Sequence, residues 1–272
     1  MLSSVRSSGP PDRACQDDES RQSAGSETSA NALKDPIRAL SDMKGSFTAA
    51  PRRAEEPPNL TTKLPRVAKY FDVHPDNPQR RSIGQVTDIV RGGGLIAYPT
   101  DSCFALGCQL GNKDGLERIR SIRQLDDRHH FTLVCHDFAQ LGQFVYLSNT
   151  VFRAVKASTP GPYTFILPAT KEVPRRLMHA KKKTVGVRIP DHAVAQAIVA
   201  ELGEPLLSST LLLPGEAEPM TQGWEIKEAL DHVVDAVIDS GECGTEPTTV
   251  IDFSNDEFEV IREGAGDLAR FE

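Results

Sequence analysis

The sequence predicts a mixed α/β domain, a twisted sheet flanked by helices, preceded by a disordered N-terminal extension. Three observations lead there. From Gln79 onward, helical apolar spacing alternates with short apolar runs stopped by Gly or Pro, and the extended runs become more frequent toward the C-terminus. Composition changes near residue 65: before it there is no Trp or Tyr and a single Phe, Phe47. Such a segment cannot bury enough apolar surface to offset the entropy of ordering it. Residues 66–272 of the 272-residue chain remain, enough for one proper core.

Taken in order, Gln79–Arg91 places Ile83, Val86 and Val90 at helical spacing with Ile89 alongside, and Gly92-Gly93-Gly94 ends that helix. Leu95-Ile96-Ala97-Tyr98 reads as a short buried strand closed by Pro99. Lys113–Leu125 is helical, with Leu116, Ile119, Ile122 and Leu125 on one face and Arg118, Arg120 and Arg123 on the other. Phe131–Cys135 is a second strand. Asp137–Gln143 and Asn149–Ala157 form two short helices, and Thr159-Pro160-Gly161-Pro162 is a turn into a strand at Tyr163–Leu167. Pro174–His179 is a short helix or turn, and Thr184–Ile189 is a strand stopped by Pro190. A helix at Ala193–Leu202 stops at Gly203, and a strand covers Leu206–Leu213. Trp224–Leu230 is helical, Val233–Ile238 is a strand or a buried helix end, and Thr248–Phe253 with Glu257–Arg262 makes a hairpin.

Neither a membrane span nor a hydrophobic signal core is visible. Arg6, Arg13 and Arg21 among serines suit a transit peptide, but Asp12, Asp17, Asp18 and Glu19 argue against one. A third reading puts the true start near Val67. The five cysteines (Cys15, Cys103, Cys108, Cys135 and Cys243) match no zinc or thioredoxin spacing and read as reduced thiols of a cytoplasmic protein. A Walker loop, a G-x-G-x-x-G turn, a Gly-x-Ser-x-Gly elbow and a His-Glu-x-x-His motif are all missing. His129-His130 is an adjacent pair whose side chains point apart, so no metal site is assigned.

Charge is unevenly divided. Residues 1–65 carry nine basic and nine acidic side chains, 66–183 carry 18 against 10, and 184–272 carry 4 against 19. The asymmetry suggests either an anionic ligand near the basic part or two solvated faces of one dipolar domain. Lys171, Arg175, Arg176, Lys181, Lys182 and Lys183 fall within thirteen residues, opposed only by Glu172. They are either a phosphate-binding cluster or a solvated loop. Arg188 and Arg262 each sit inside an apolar strand, where a charge needs a partner or a ligand. Thr100-Asp101-Ser102, just past a strand end, occupies the position where open α/β sheets bind ligands. The alternative is a turn that merely bonds its own backbone.

Read together, these segments resemble the YrdC-like family, whose best-known members are threonylcarbamoyl-AMP synthases. The family's Pro-Thr-(Asp/Glu)-Thr-x-Tyr-(Gly/Ala)-Leu-Gly is similar to Pro99–Gly107, and its Pro-Gly-Pro-x-Thr to Pro160–Thr164. Its Val-Arg-x-Pro-x-His resembles Val187–His192, Ser-Thr-Val-(Val/Ile)-Asp resembles Thr248–Asp252, and Arg-x-Gly is Arg262-Glu263-Gly264. Two places depart from the synthase pattern. Lys-x-Arg becomes Arg123-Gln124-Leu125, with Arg128 as the nearest replacement, and Ser-x-Asn becomes Thr210-Leu211-Leu212. This brings the chain closer to the YciO subgroup.

The resemblance implies a YrdC-like domain over 66–272 with a concave basic groove. It implies synthesis of threonylcarbamoyl-AMP and pyrophosphate from L-threonine, bicarbonate and ATP, with magnesium carried by the substrate phosphates, for modification of tRNA. Arg123 and Arg262 would then meet phosphates, Thr210 and Thr184 the nucleotide, and Arg188 the threonine carboxylate or a phosphate. Thr100, Ser102, Ser208 and Thr248 would line the amino-acid end. Two alternatives accompany it. One is hydrolysis of an acyl-adenylate; the other is double-stranded RNA binding, with Lys171–Lys183 supplying the phosphate contacts.

Overall fold

The computed structural model describes residues 67–125, 131–255 and 257–271. Contacts group the chain into Met1–Asn59 and Leu60–Glu272, and every described residue belongs to the second unit. The expected disorder of residues 1–65, together with Cys15, Arg128 and the His129-His130 pair, lies outside the described residues.

In chain order the elements are β1 (Lys69–Asp72), α1 (Arg80–Arg91), β2 (Leu95–Tyr98), β3 (Ala105–Gln109), α2 (Lys113–Arg123), β4 (Thr132–Val134), α3 (Phe138–Phe144) and α4 (Asn149–Ala157). There follow β5 (Tyr163–Pro168), a 3-10 turn (Arg175–Leu177), β6 (Thr184–Arg188), α5 (Ala193–Leu202), β7 (Leu206–Thr210), α6 (Gly223–Leu230), β8 (Ala236–Asp239), β9 (Thr249–Asp252) and β10 (Glu259–Arg262). One ten-stranded sheet runs β1-β8-β2-β3-β7-β4-β6-β5-β9-β10, with parallel and antiparallel neighbours mixed, as expected. Among the described residues no helix is long and apolar enough to cross a membrane.

Helix ends follow local chemistry. The side chains of Asn112, Asp137 and Ser148 accept the first free N–H groups of α2, α3 and α4, and Gly203 ends α5 at φ 77°. Helix α2 stops at Arg123, short of the expected Leu125, because Gln124 turns left-handed. The strand expected over Leu206–Leu213 ends at Thr210, and the ambiguous Val233–Ile238 resolves into β8. Two strands carry no sequence signal. In β1 only Phe71 is buried, so no alternation is visible. In β3 the run Ala-Leu-Gly-Cys resembles a loop, yet Gly107 is needed there: a Cβ would meet Leu206 Cδ2 at 2.7 Å and Tyr98 Cε1 at 2.9 Å.

Alternation along β2 divides the core. Leu95 and Ala97 face a cluster built with α2, α3, α4 and α6; Ile96 and Tyr98 face one built with α1 and α5. On the α1–α5 side, a row of small residues crosses the sheet. Gly107 lies beside Ser208, Ser208 beside Thr132, Thr132 beside Gly186, and Gly186 beside Ile166. Small and absent side chains in register leave a hollow on this face.

Candidate functional site

The hollow is a cleft of about 240 Å³. Its floor comes from alternate positions of neighbouring strands, among them Thr132 and Val134, Thr164 and Ile166, Gly186 and Arg188, and Ser208 and Thr210. Arg123 reaches it from the end of α2, Arg262 from the end of β10, and Thr248 from just before β9. Six of the residues singled out in the sequence therefore line one cleft: Arg123, Arg188, Ser208, Thr210, Thr248 and Arg262.

Each cation is anchored from behind. Arg188 pairs with Asp101 through Nη2, which also donates to Ser102 Oγ at 3.1 Å. Asp101 Oδ2 accepts the Asp191 N–H at 2.9 Å. Asp101 therefore reaches across the fold to Arg188 instead of closing its own turn. Thr100 does close the turn: its Oγ1 donates to Cys103 O at 2.6 Å and accepts the Ser102 N–H at 3.3 Å. Arg188 Nε is buried with no partner among the described residues. Arg262 donates through Nε and Nη2 to Thr248 O at 3.1 and 2.8 Å, and through Nη2 to Thr248 Oγ1 at 3.1 Å. Thr248 Oγ1 in turn meets Thr164 Oγ1 at 3.0 Å. Arg123 holds Ser209 Oγ at 2.5 Å and the Leu212 carbonyl at 3.4 Å.

Desolvation lowers the pKa of Arg123 and, at a position still open to solvent, that of Arg262. Arg262 presses Arg123 further down and Arg188 does the same to Arg262. Guanidiniums nonetheless stay protonated in proteins, so the cleft concentrates positive charge. Ser208 Oγ donates to Leu106 O at 3.1 Å, which makes Tyr98 OH, 2.8 Å away, the donor to Ser208. Burial pushes that phenol up to about 12, in keeping with a proton held in place.

Thr100, Ser102 and Thr184, expected at the ligand, do not line the cleft. Ser102 sits behind Arg188, one hydrogen bond removed, and Thr100 lies one further bond back, its Oγ1 3.2 Å from Ser102 Oγ. Thr184 is two residues before Gly186 on the same strand face, buried, with its Oγ1 unpartnered among the described residues. The basic cluster also falls elsewhere. None of Lys171, Arg175, Arg176, Lys181, Lys182 and Lys183 lines the cleft; Arg176 donates to Gly111 O and Lys182 pairs with Asp252 at 3.1 Å. All six side chains are exposed to solvent, outside this cleft.

Sequence reasoning gave no role to Thr132, a lone hydroxyl residue in an apolar strand, to Thr164, quoted only as the last residue of the Pro-Gly-Pro-x-Thr motif, or to Cys103, all of which line the cleft. Burial pushes the Cys103 pKa up, against the pull of Arg188. Leu212 lines the cleft as well. No carboxylate or amide side chain is among its described lining residues.

Comparisons with known proteins converge on one family. The family model for Sua5, YciO and YrdC proteins, described as "Telomere recombination", matches residues 88–264. YciO of Escherichia coli strain K12 is 50% identical over 205 residues, covering 75% of this chain and 100% of that protein. The threonylcarbamoyl-AMP synthase of Vibrio vulnificus strain YJ016 is 30% identical over 188 residues, covering 67% of this chain and 98% of the synthase. The crystal structure of E. coli YciO superposes with a TM-score of 0.73 over 75% of this chain and 100% of that one. Sua5 of P. abyssi, complexed with L-threonine, shares the fold at 24% identity and a TM-score of 0.69, over 75% of this chain and 59% of that one.

Proposed function

Given that the chain belongs to the Sua5, YciO and YrdC family, we propose that the cleft binds ATP and forms threonylcarbamoyl-AMP from it with L-threonine and bicarbonate, serving tRNA modification. The observation that supports this is the meeting of Arg123, Arg188 and Arg262 in one hydroxyl-lined cleft.

In this reading the threonine amine attacks bicarbonate and water leaves. An oxygen of the resulting carbamate attacks the α-phosphorus, the bond to the β-phosphate breaks, and pyrophosphate departs. The protein supplies position and charge rather than a nucleophile. Arg123 and Arg262 take phosphate oxygens, and their repulsion is relieved when the anion arrives. Arg188, steadied by Asp101 and Ser102, offers its unpartnered Nε to the threonine carboxylate or a phosphate. Thr210, Ser208 and Thr248 add hydroxyl contacts. Magnesium travels with the phosphates, since no protein carboxylate lines the cleft among the described residues.

The test is incubation with ATP, labelled bicarbonate and threonine. Threonine-dependent pyrophosphate release with label in the nucleotide product is the expected result. No turnover would overturn synthesis, and AMP release from supplied threonylcarbamoyl-AMP would assign hydrolysis instead. A second reading is favoured by the exposed cationic turn around Lys181: double-stranded RNA held on the surface. It predicts affinity that falls steeply with salt and survives changes in the cleft.

A further inference from the structure

The side chains that line the cleft limit what they can read. Besides the three arginines, every polar side chain lining it is a hydroxyl or the Cys103 thiol: Thr132, Thr164, Ser208, Ser209, Thr210, Thr245 and Thr248. A hydroxyl free to turn donates or accepts as its partner requires, so it cannot distinguish an amino group from a carbonyl on a base edge, and Ser208, which is not free, already spends its proton on Leu106 O. Asn, Gln, Asp, Glu and His, which can, are missing from the described lining. One wall goes further. The connection from β7 to α6 supplies Leu212, Ala217 and Pro219, none of which has a hydrogen-bonding side chain. At Leu212 the backbone donor is used as well, its N–H going to Thr210 O at 3.2 Å, and its carbonyl already takes one bond, from Arg123 Nε at 3.4 Å. Pro219 has no N–H.

Building on the nucleotide reading, we infer that the site takes nucleoside triphosphates without regard to the base. The phosphates carry the binding, and the base lies against Leu212, Ala217 and Pro219 by contact alone. Arg123, which shares a hydrogen bond with Leu212, marks where the phosphates hand over to this wall. An apolar wall discriminates poorly among flat rings of similar size, whereas a site built to hydrogen-bond one of them rejects the others by leaving its own groups unpaired.

The experiment is calorimetric titration of the full chain with magnesium ATP, GTP and CTP. ATP and GTP affinities within about threefold of one another are expected, with CTP somewhat weaker because its single ring covers less of the wall, against at least about tenfold preference between ATP and GTP for a base-reading site. A tenfold preference for ATP over GTP would overturn the inference and leave nucleotide binding standing. Failure of all three to bind would overturn the nucleotide reading itself, and this inference with it. Leu212→Asn adds an amide to the wall and should move the ATP-to-GTP ratio about fivefold away from the wild-type value, in either direction. Ala217→Asn, at an exposed position of the same wall, tests it should the first variant not fold. An unchanged ratio in a variant that still binds would overturn the placement of the base.

Discussion

The guanidinium of Arg188 closes on the carboxylate of Asp101, 87 residues away in the chain, with each side chain only 9% exposed. A buried pair of this kind contributes little against a well-packed apolar replacement, but it is costly to break from one side. Asp101→Asn should therefore lower unfolding stability by about 3–5 kcal/mol, because Arg188 keeps its charge and loses its counterion. Urea denaturation measures this. A loss below about 1 kcal/mol would mean that water screens the pair like a surface one.

Arg262 gives the opposite pattern. It is solvent-accessible on edge strand β10, and its bonds are to Thr248 alone among those resolved. Arg262→Ala should leave stability within about 0.5 kcal/mol of wild type. Its effect falls on the anion: losing a charged hydrogen-bond partner should weaken pyrophosphate or ATP binding by roughly 10- to 150-fold. Arg262→Lys should recover part of this, keeping the charge without the fork. Undiminished binding in the alanine variant would remove Arg262 from the site.

Acid should act through His192. Its ring caps α5, with Nδ1 accepting the Ala195 N–H at 3.5 Å. Burial, helped by Arg188 and opposed by Asp101 and Asp191, holds its pKa below the ordinary 6.5. The folded protein thus resists a proton that the unfolded chain accepts. The resulting stability is intact above pH 6.5 and is lost as pH falls from there through the depressed folded value. His192→Asn keeps a capping side chain and cannot titrate. Its unfolding free energy should change less than that of wild type between pH 7.5 and about 5.5; equal changes would acquit the histidine.

The thiols should be silent. Cys103, Cys108, Cys135 and Cys243 are all buried and free. Burial raises Cys103 and pushes the other three up to about 12, so thiolate is scarce at pH 8. In a Cys15→Ser background, a disulfide reagent should label none of these four promptly in the native protein and all four after denaturation. Fast native labelling of Cys103 would show that the cleft admits reagents to its thiol.

Helices were legible because their apolar spacing is local: Ile83, Val86 and Val90 announce α1 without reference to anything distant. The chain by itself also determined that Arg188, a charge inside an apolar strand, demands a counterpart. It could not say which counterpart, because Asp101 becomes its neighbour only when β6 and the turn after β2 are brought together. Strand order, the small-residue row through Ser208, Thr132 and Gly186, and the separation of Lys171–Lys183 from the cleft all belong to the tertiary structure. The physical reason is that side-chain periodicity records which face of an element is buried, whereas a cleft is made by register between strands far apart in sequence, and one-dimensional spacing carries no trace of that pairing.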